Sequence, residues 1–245
     1  MSRSHRIVGT ASVLLAGLLA VLLVAGCATG ARIGGQVRVS SSNPGSATAP
    51  LPVDAPCASF GCRPGAAQQL VDGYSVRLWL SQPPSSGSPD AERSTPVLEL
   101  SRDGKHLSWW TGRLGYGWAA TVRCLATVAE PNCAVLAEVG AHAGSAELVL
   151  LRDGALVAPP QASAVFDSGV PTAADLDHDG LLDLVGVEND YQPDYANGHN
   201  FWVSYRLVGG PASALHQTGC RPVAQLSEPA PTVLLTGRCP VVAQG

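Results

Sequence analysis

The sequence predicts an all-β protein, arranged as a small or open propeller-like stack of antiparallel β-blades with about four units. Beyond residue 55 no segment carries the apolar period of an amphipathic helix, whereas short alternating or β-branched apolar runs recur along the chain. Asp103-Gly104 and Asp153-Gly154 each separate two such runs, and Asp-Gly in that position is a strong hairpin signal because both residues tolerate positive φ. Asp103 and Asp153 are 50 residues apart, and Gly154 and Gly209 are 55 apart, an internal period of the size that propeller blades show. With 27 Gly, 19 Pro and 5% aromatic residues, the composition suits many tight turns rather than long helices. A β-sandwich with hairpins of similar length is the competing arrangement of the same strands.

At the N-terminus, Arg3, His5 and Arg6 precede an apolar stretch over 7–25 that ends Val24-Ala25-Gly26-Cys27. A basic start, an apolar middle and small residues before a cut site make residues 1–26 a secretory signal peptide. Val-Ala-Gly-Cys resembles the bacterial lipobox, which implies that Cys27 carries a diacylglyceryl thioether and becomes the mature N-terminus. The alternative is an uncleaved anchor, since the apolar run is close to the length that spans a bilayer. Either way the remainder is expected on the extracytoplasmic face of the cell membrane, tethered through the lipid or the anchor. Residues 27–55 are rich in Gly, Ser, Pro, Ala and Thr without periodicity, too apolar-poor to offset chain entropy, and are expected to form a flexible stalk before a folded domain at 56–245. A net charge of -4 with no basic run argues against nucleic acid as a partner.

Seven cysteines are present, and setting Cys27 aside leaves Cys57, Cys62, Cys124, Cys133, Cys220 and Cys239. An even number in an exported chain points to three disulfides, for which fifteen connectivities exist. Sequence neighbours pair most simply as 57 with 62, 124 with 133 and 220 with 239. Free thiols or a zinc site are the alternatives, although no C-x-x-C or Cys/His cluster at zinc spacing is present.

Strands are expected in order along the domain. Residues 74–80 alternate, with Val76, Leu78 and Leu80 on one face. Residues 96–101 pair with 106–110 across Asp103-Gly104, and 147–152 with 155–158 across Asp153-Gly154 after a strand at 134–139. The pattern returns at 182–188, 201–207 and 215–217. Stretches at 68–72 and 232–236 could complete a further unit.

The densest chemistry lies at Asp175-Leu176-Asp177-His178-Asp179-Gly180-Leu181-Leu182-Asp183. Carboxylates stand at positions 1, 3, 5 and 9, with Gly at position 6 where a metal-binding loop turns sharply. Four like charges in nine residues repel unless a cation sits among them. Calcium fits best, because it takes six to eight hard oxygen ligands in a flexible shell and the Leu181 carbonyl can supply one at position 7; magnesium prefers a strict octahedron and its own waters. An EF-hand would require Glu at position 12, which is Gly186, and the apolar run 184–187 that follows is a strand. The other possibility is a solvated acidic turn without an ion.

This D-x-D-x-D-G-x-x-D loop entering a buried strand resembles the calcium loop of the FG-GAP or VCBS repeat, the blade unit of integrin-alpha-like β-propellers. Phe166 and Val170 stand where that repeat has Phe and Val, while Asp167 and Ala174 replace two of its glycines, and one extra residue precedes Asp175. The resemblance covers 166–207 and implies a calcium-stabilised extracellular interaction module. Laying 134–158 over 182–217 brings Cys124 near Asp175 and Cys133 near Asp183, so one unit is expected to fasten covalently the loop its neighbour fastens with calcium.

Directly after the metal-led strand comes a long acidic and aromatic loop, 190–200, in which Tyr191, Tyr195 and His199, with Trp202 beyond it, are candidates for contact with an extracellular protein or glycan. Tyrosines that merely cover the core are the alternative. A second aromatic group, Trp109, Trp110, Tyr116 and Trp118, is either a platform or core filling. No G-x-S-x-G elbow, H-E-x-x-H or phosphate-binding Gly loop occurs, so no catalytic residues are assigned. Three classes follow: a lipid-anchored calcium-binding interaction or structural module of the bacterial envelope, an envelope glycan-binding lipoprotein, and a secreted hydrolase whose site sequence does not reveal.

Overall fold

The computed structural model describes residues 55, 58, 61–81, 95–113, 119–126, 131–139, 142–209, 213–225 and 227–240, all within the unit Val39–Gly245. Cys27, the signal-like segment, Cys57, Tyr116 and Trp118 lie outside the described residues. Among those described there is no helix; the chain is all-β.

Three antiparallel sheets follow one another along the chain. The first takes β1 (Cys62–Gln69), β2 (Tyr74–Ser81), β3 (Thr95–Arg102) and β4 (Lys105–Thr111), in that order across the sheet. The second takes β5 (Ala119–Leu125), β6 (Asn132–Glu138), β7 (Gly144–Arg152) and β8 (Ala155–Val157), with β9 (Ser163–Phe166) pairing along the earlier half of β7. The third takes β10 (Ser168–Ala174), β11 (Asp183–Asn189), β12 (Asn200–Val208) and β13 (Ala214–Pro222). Each is essentially a four-stranded meander, so the described chain holds three units where about four were expected. Residues 68–72 do not start a separate unit, because Gln68 and Gln69 end β1. Residues 232–236 form no strand and pass instead beside the third sheet, where the Leu235 N–H donates to Ser204 Oγ at 2.9 Å.

The hairpins form where Asp-Gly pairs stand. Asp103 and Gly104 have φ of 49° and 76°, and Asp153 and Gly154 have 51° and 73°, the double positive φ whose twist matches that of paired strands. The same device at Asp72-Gly73, with φ of 56° and 76°, turns β1 into β2.

Alternation then decides the packing. Val76, Leu78, Leu80, Leu98, Leu100 and Trp110 of the first sheet meet Val122, Val135 and Val149 of the second. The opposite face of the second sheet, with Leu136, Leu148 and Leu150, packs with Phe166, Leu182, Leu184 and Leu207. Covered on both faces, β6 is buried along nearly its whole length, which is why it lacks a polar face in sequence. The far face of the third sheet, with Val185, Val187 and Trp202, is covered by Leu176 and Leu235. Gly186 on β11 admits the Phe166 ring, which any Cβ at that position would overlap.

Two expected disulfides are present. Cys124 and Cys133 face each other across β5 and β6 and are joined, and Cys220 on β13 is joined to Cys239, with the Cys220 N–H donating to the Gly237 carbonyl at 3.0 Å. Cys62 is also disulfide-bonded. Of the second aromatic group, Trp110 is core, whereas Trp109 is half-buried and stacks on His106 with ring centroids 4.6 Å apart.

Candidate functional site

The acidic loop joins β10 to β11, and its conformation follows from side chains bonding to its own backbone. Asp175 Oδ2 accepts from the Gly180 N–H at 3.2 Å, Asp177 Oδ1 from Asp179 N at 3.3 Å, and Asp179 Oδ1 from Leu181 N at 2.9 Å. Such bonds fold Asp-rich segments into tight turns. Gly180 sits at φ 87°, and His178, which is exposed, at φ 62°. Asp183 opens β11, is almost fully buried, and accepts from Leu176 N at 2.8 Å.

Asp175, Asp177 and Asp183 each bring one carboxylate oxygen to within 4.8 Å of the others. Asp175 Oδ1 is buried and has no hydrogen-bond partner. A buried anionic oxygen without a partner is costly, and a cation among the three carboxylates removes that cost. Burial is the main cause that pushes the Asp183 carboxyl from 3.8 to about 6; the Leu176 N–H opposes it, and the charges of Asp177, Asp179 and Asp175 reinforce it. The three carboxylates offer oxygen donors only, a set that could hold a hard metal ion.

Asp179 does not join the other three. Its Oδ2 lies 3.5 Å from Nη2 of Arg206, whose Nη1 lies 3.2 Å from Asp177 Oδ2. A second partner comes from the neighbouring sheet: Asn132, at the start of β6, donates to the Gly180 carbonyl and accepts from the Leu182 N–H, both at 2.9 Å. Neither Arg206 nor Asn132 is marked by the local sequence; each reaches the loop only through sheet pairing and packing.

The structure brings Tyr191 and Tyr195 together, with ring centroids 5.7 Å apart, and leaves each roughly two-fifths exposed, at 38% and 40%. Both hydroxyls turn onto Asp167, Tyr191 to its Oδ1 at 2.6 Å and Tyr195 to its carbonyl at 3.1 Å. His199 is mostly solvent-facing, with Nδ1 3.0 Å from Asp190 Oδ2. Trp202 is separated from them, buried with Val185 and Leu235, its Nε1 donating to Glu228 Oε1; it is a core residue rather than part of an exposed surface. One further carboxylate, Glu147, is buried on β7, pushed above its usual range by desolvation, and bonded by the Arg113 N–H at 2.9 Å.

Comparison of the chain with protein-family models, with curated proteins and with solved structures gives no match.

Proposed function

We propose that this protein is a lipid-anchored, calcium-stabilised interaction module of the bacterial envelope, built from FG-GAP/VCBS-like blades in an open stack. The observation that carries the reading is the convergence of Asp175, Asp177 and Asp183 around a buried Asp175 oxygen that lacks a partner. Asp179 and the Leu181 carbonyl complete the proposed ligand set at the spacing of the loop. Calcium held there would neutralise the carboxylates; the residues themselves hold the turn into β11 and, through Asn132, its seat on the second sheet.

The role is read as structural because the loop leads directly into a buried core strand. Leu182 and Leu184 flank Asp183 and are fully buried among residues of the second sheet. Four-stranded antiparallel meanders support the blade reading, and the three found among the described residues are too few to close a ring. Anchoring at Cys27 rests on the lipobox resemblance, and mass spectrometry of the mature N-terminus checks it: a diacylated Cys27 is expected, and an intact unmodified N-terminus rules it out.

Calorimetric titration of the chelator-treated protein tests the site itself. Calcium should bind with one-to-one stoichiometry at roughly 0.1–1 mM, the range of extracellular modules, and Asp175→Asn should weaken binding below detection. Absence of heat in the unsubstituted protein, or binding unchanged by Asp175→Asn, removes the reading.

A further inference from the structure

We propose that Tyr191, Tyr195 and His142 form a ledge that binds a neutral saccharide chain. The three rings run in a row: Tyr191 to Tyr195 at 5.7 Å between centroids, and Tyr195 to His142 at 6.2 Å. All three residues are exposed, the tyrosines from the β11–β12 loop and His142 from the turn before β7, so the ledge bridges the third sheet and the second. Ring-to-ring steps of this size are of the order of one pyranose unit.

The orientation of the tyrosines separates a ledge from core cover. A tyrosine that covers a core puts its ring against apolar side chains and leaves its hydroxyl in water. Here the hydroxyls are tied down on Asp167 and the two residues remain about two-fifths exposed. The two tyrosines are also held in place. Tyr191 adopts φ 54°, uncommon for a bulky residue, and its N–H donates to Asn189 Oδ1 at 2.7 Å, while Asp167 Oδ2 accepts from Asn189 N at 2.8 Å. Rings fixed before the ligand arrives lose little entropy on binding.

The surroundings favour a saccharide over a protein. Protein hot spots sit in dry, well-packed pockets, whereas the exposed residues of the same loop include Gln192, Asp194, Asn197 and His199 beside the small apolar Pro193 and Ala196. A sugar places its C–H face on an aromatic ring and its hydroxyls against such a polar rim. Charge narrows the class further. The His199 N–H holds the Asp190 carboxyl below the usual range, and the Asn197 side chain does the same for Asp194, so both are anionic at neutral pH and repel uronates and sulfated glycans.

The ledge is independent of the calcium reading, and its test uses the full chain with calcium and again with chelator. Cellohexaose, maltohexaose and chitohexaose serve as neutral probes and hexagalacturonate as the anionic one, each titrated by NMR at millimolar concentration. At least one neutral probe should shift the Tyr195 and His142 ring signals. Tyr195→Ala should weaken that probe about tenfold or more, while Tyr195→Phe, which keeps the ring, should not. If Tyr195→Ala lowers the melting temperature, His142→Ala, which removes an exposed turn side chain, decides by the same criterion. No binding of any neutral probe, a preference for hexagalacturonate, or affinity untouched by loss of either ring overturns the proposal.

Discussion

Arg206 places a guanidinium against the acidic loop. Its guanidinium contacts Asp177 and Asp179 from one side, so Asp179 can become a metal ligand only by giving up the longer of the two contacts, at 3.5 Å. Arg206→Gln should therefore tighten calcium several-fold. The same change should lower metal-free stability by less than about 1 kcal/mol, because part-exposed ion pairs contribute little. Calorimetry on both proteins checks this, and unchanged or weaker affinity in the variant contradicts it. Asp183 adds a proton dependence. Its folded carboxyl titrates at about 6 against 3.8 for the free group, so the metal-free folded state binds more protons in that window and loses stability as pH rises through it. Calcium needs the ionised form and reverses this. The rise in melting temperature caused by calcium should be full at about pH 7.5 and largely gone at about pH 5; a rise that does not shrink in acid excludes Asp183 as a ligand. The four carboxylates were legible in sequence because loop ligands are local. Arg206 was not, because it meets the loop only after β11 and β12 have paired.

At the level of elements, the β5–β6 and β10–β11 connections occupy the same place, between the first two strands of consecutive sheets. One is closed by Cys124 and Cys133, which face each other directly; the other begins at Asp175 and ends at Asp183, which pairs with Ala174. The spacing match seen in sequence thus corresponds to a structural equivalence. Replacing both Cys124 and Cys133 by Ala should cost roughly 2–3 kcal/mol, since the bridge closes a short loop. Urea denaturation measures it, and a loss below about 0.5 kcal/mol would mean that the flanking pairing alone fixes the turn. Strands with a clear apolar face, such as β2, β3 and β12, were readable, and so were the hairpins at Asp103-Gly104 and Asp153-Gly154, but not the one at Asp72-Gly73. β1 was not: Cys62–Gln69 is largely exposed, contains Gly, Pro, Ala and Gln, and is a strand because β2 pairs with it. Trp202 was misread for a related reason. Proximity in sequence to Tyr191 and Tyr195 implied one surface, but strand alternation puts its indole under the C-terminal segment.

For the molecule as a whole, β11 connects the two candidate sites. It begins at Asp183 in the acidic loop and ends at Asn189, which holds Tyr191, with a rise of about 20 Å between them. Between these ends, Leu184 packs toward the second sheet and Val185 and Val187 pack toward the C-terminal segment, so disturbance at the loop is not confined to it. Asn132 adds a direct link, since Leu182 N and Gly180 O lose their partner if the loop departs from β6. Calcium at about 1 mM should add roughly 0.4–1.4 kcal/mol by mass action, raising the melting temperature by about 1–5 °C in a domain of this size. Because the stabilisation enters through a shared core, amide exchange should slow not only at 176–183 but also in β6, and the melting transition should stay single. Protection gained in the loop alone, with β6 unaffected, would show that the acidic turn opens independently of the sheets. Identical melting curves with calcium and with chelator would falsify the structural role of the metal outright, and would leave Arg206 as the counter-ion of this loop.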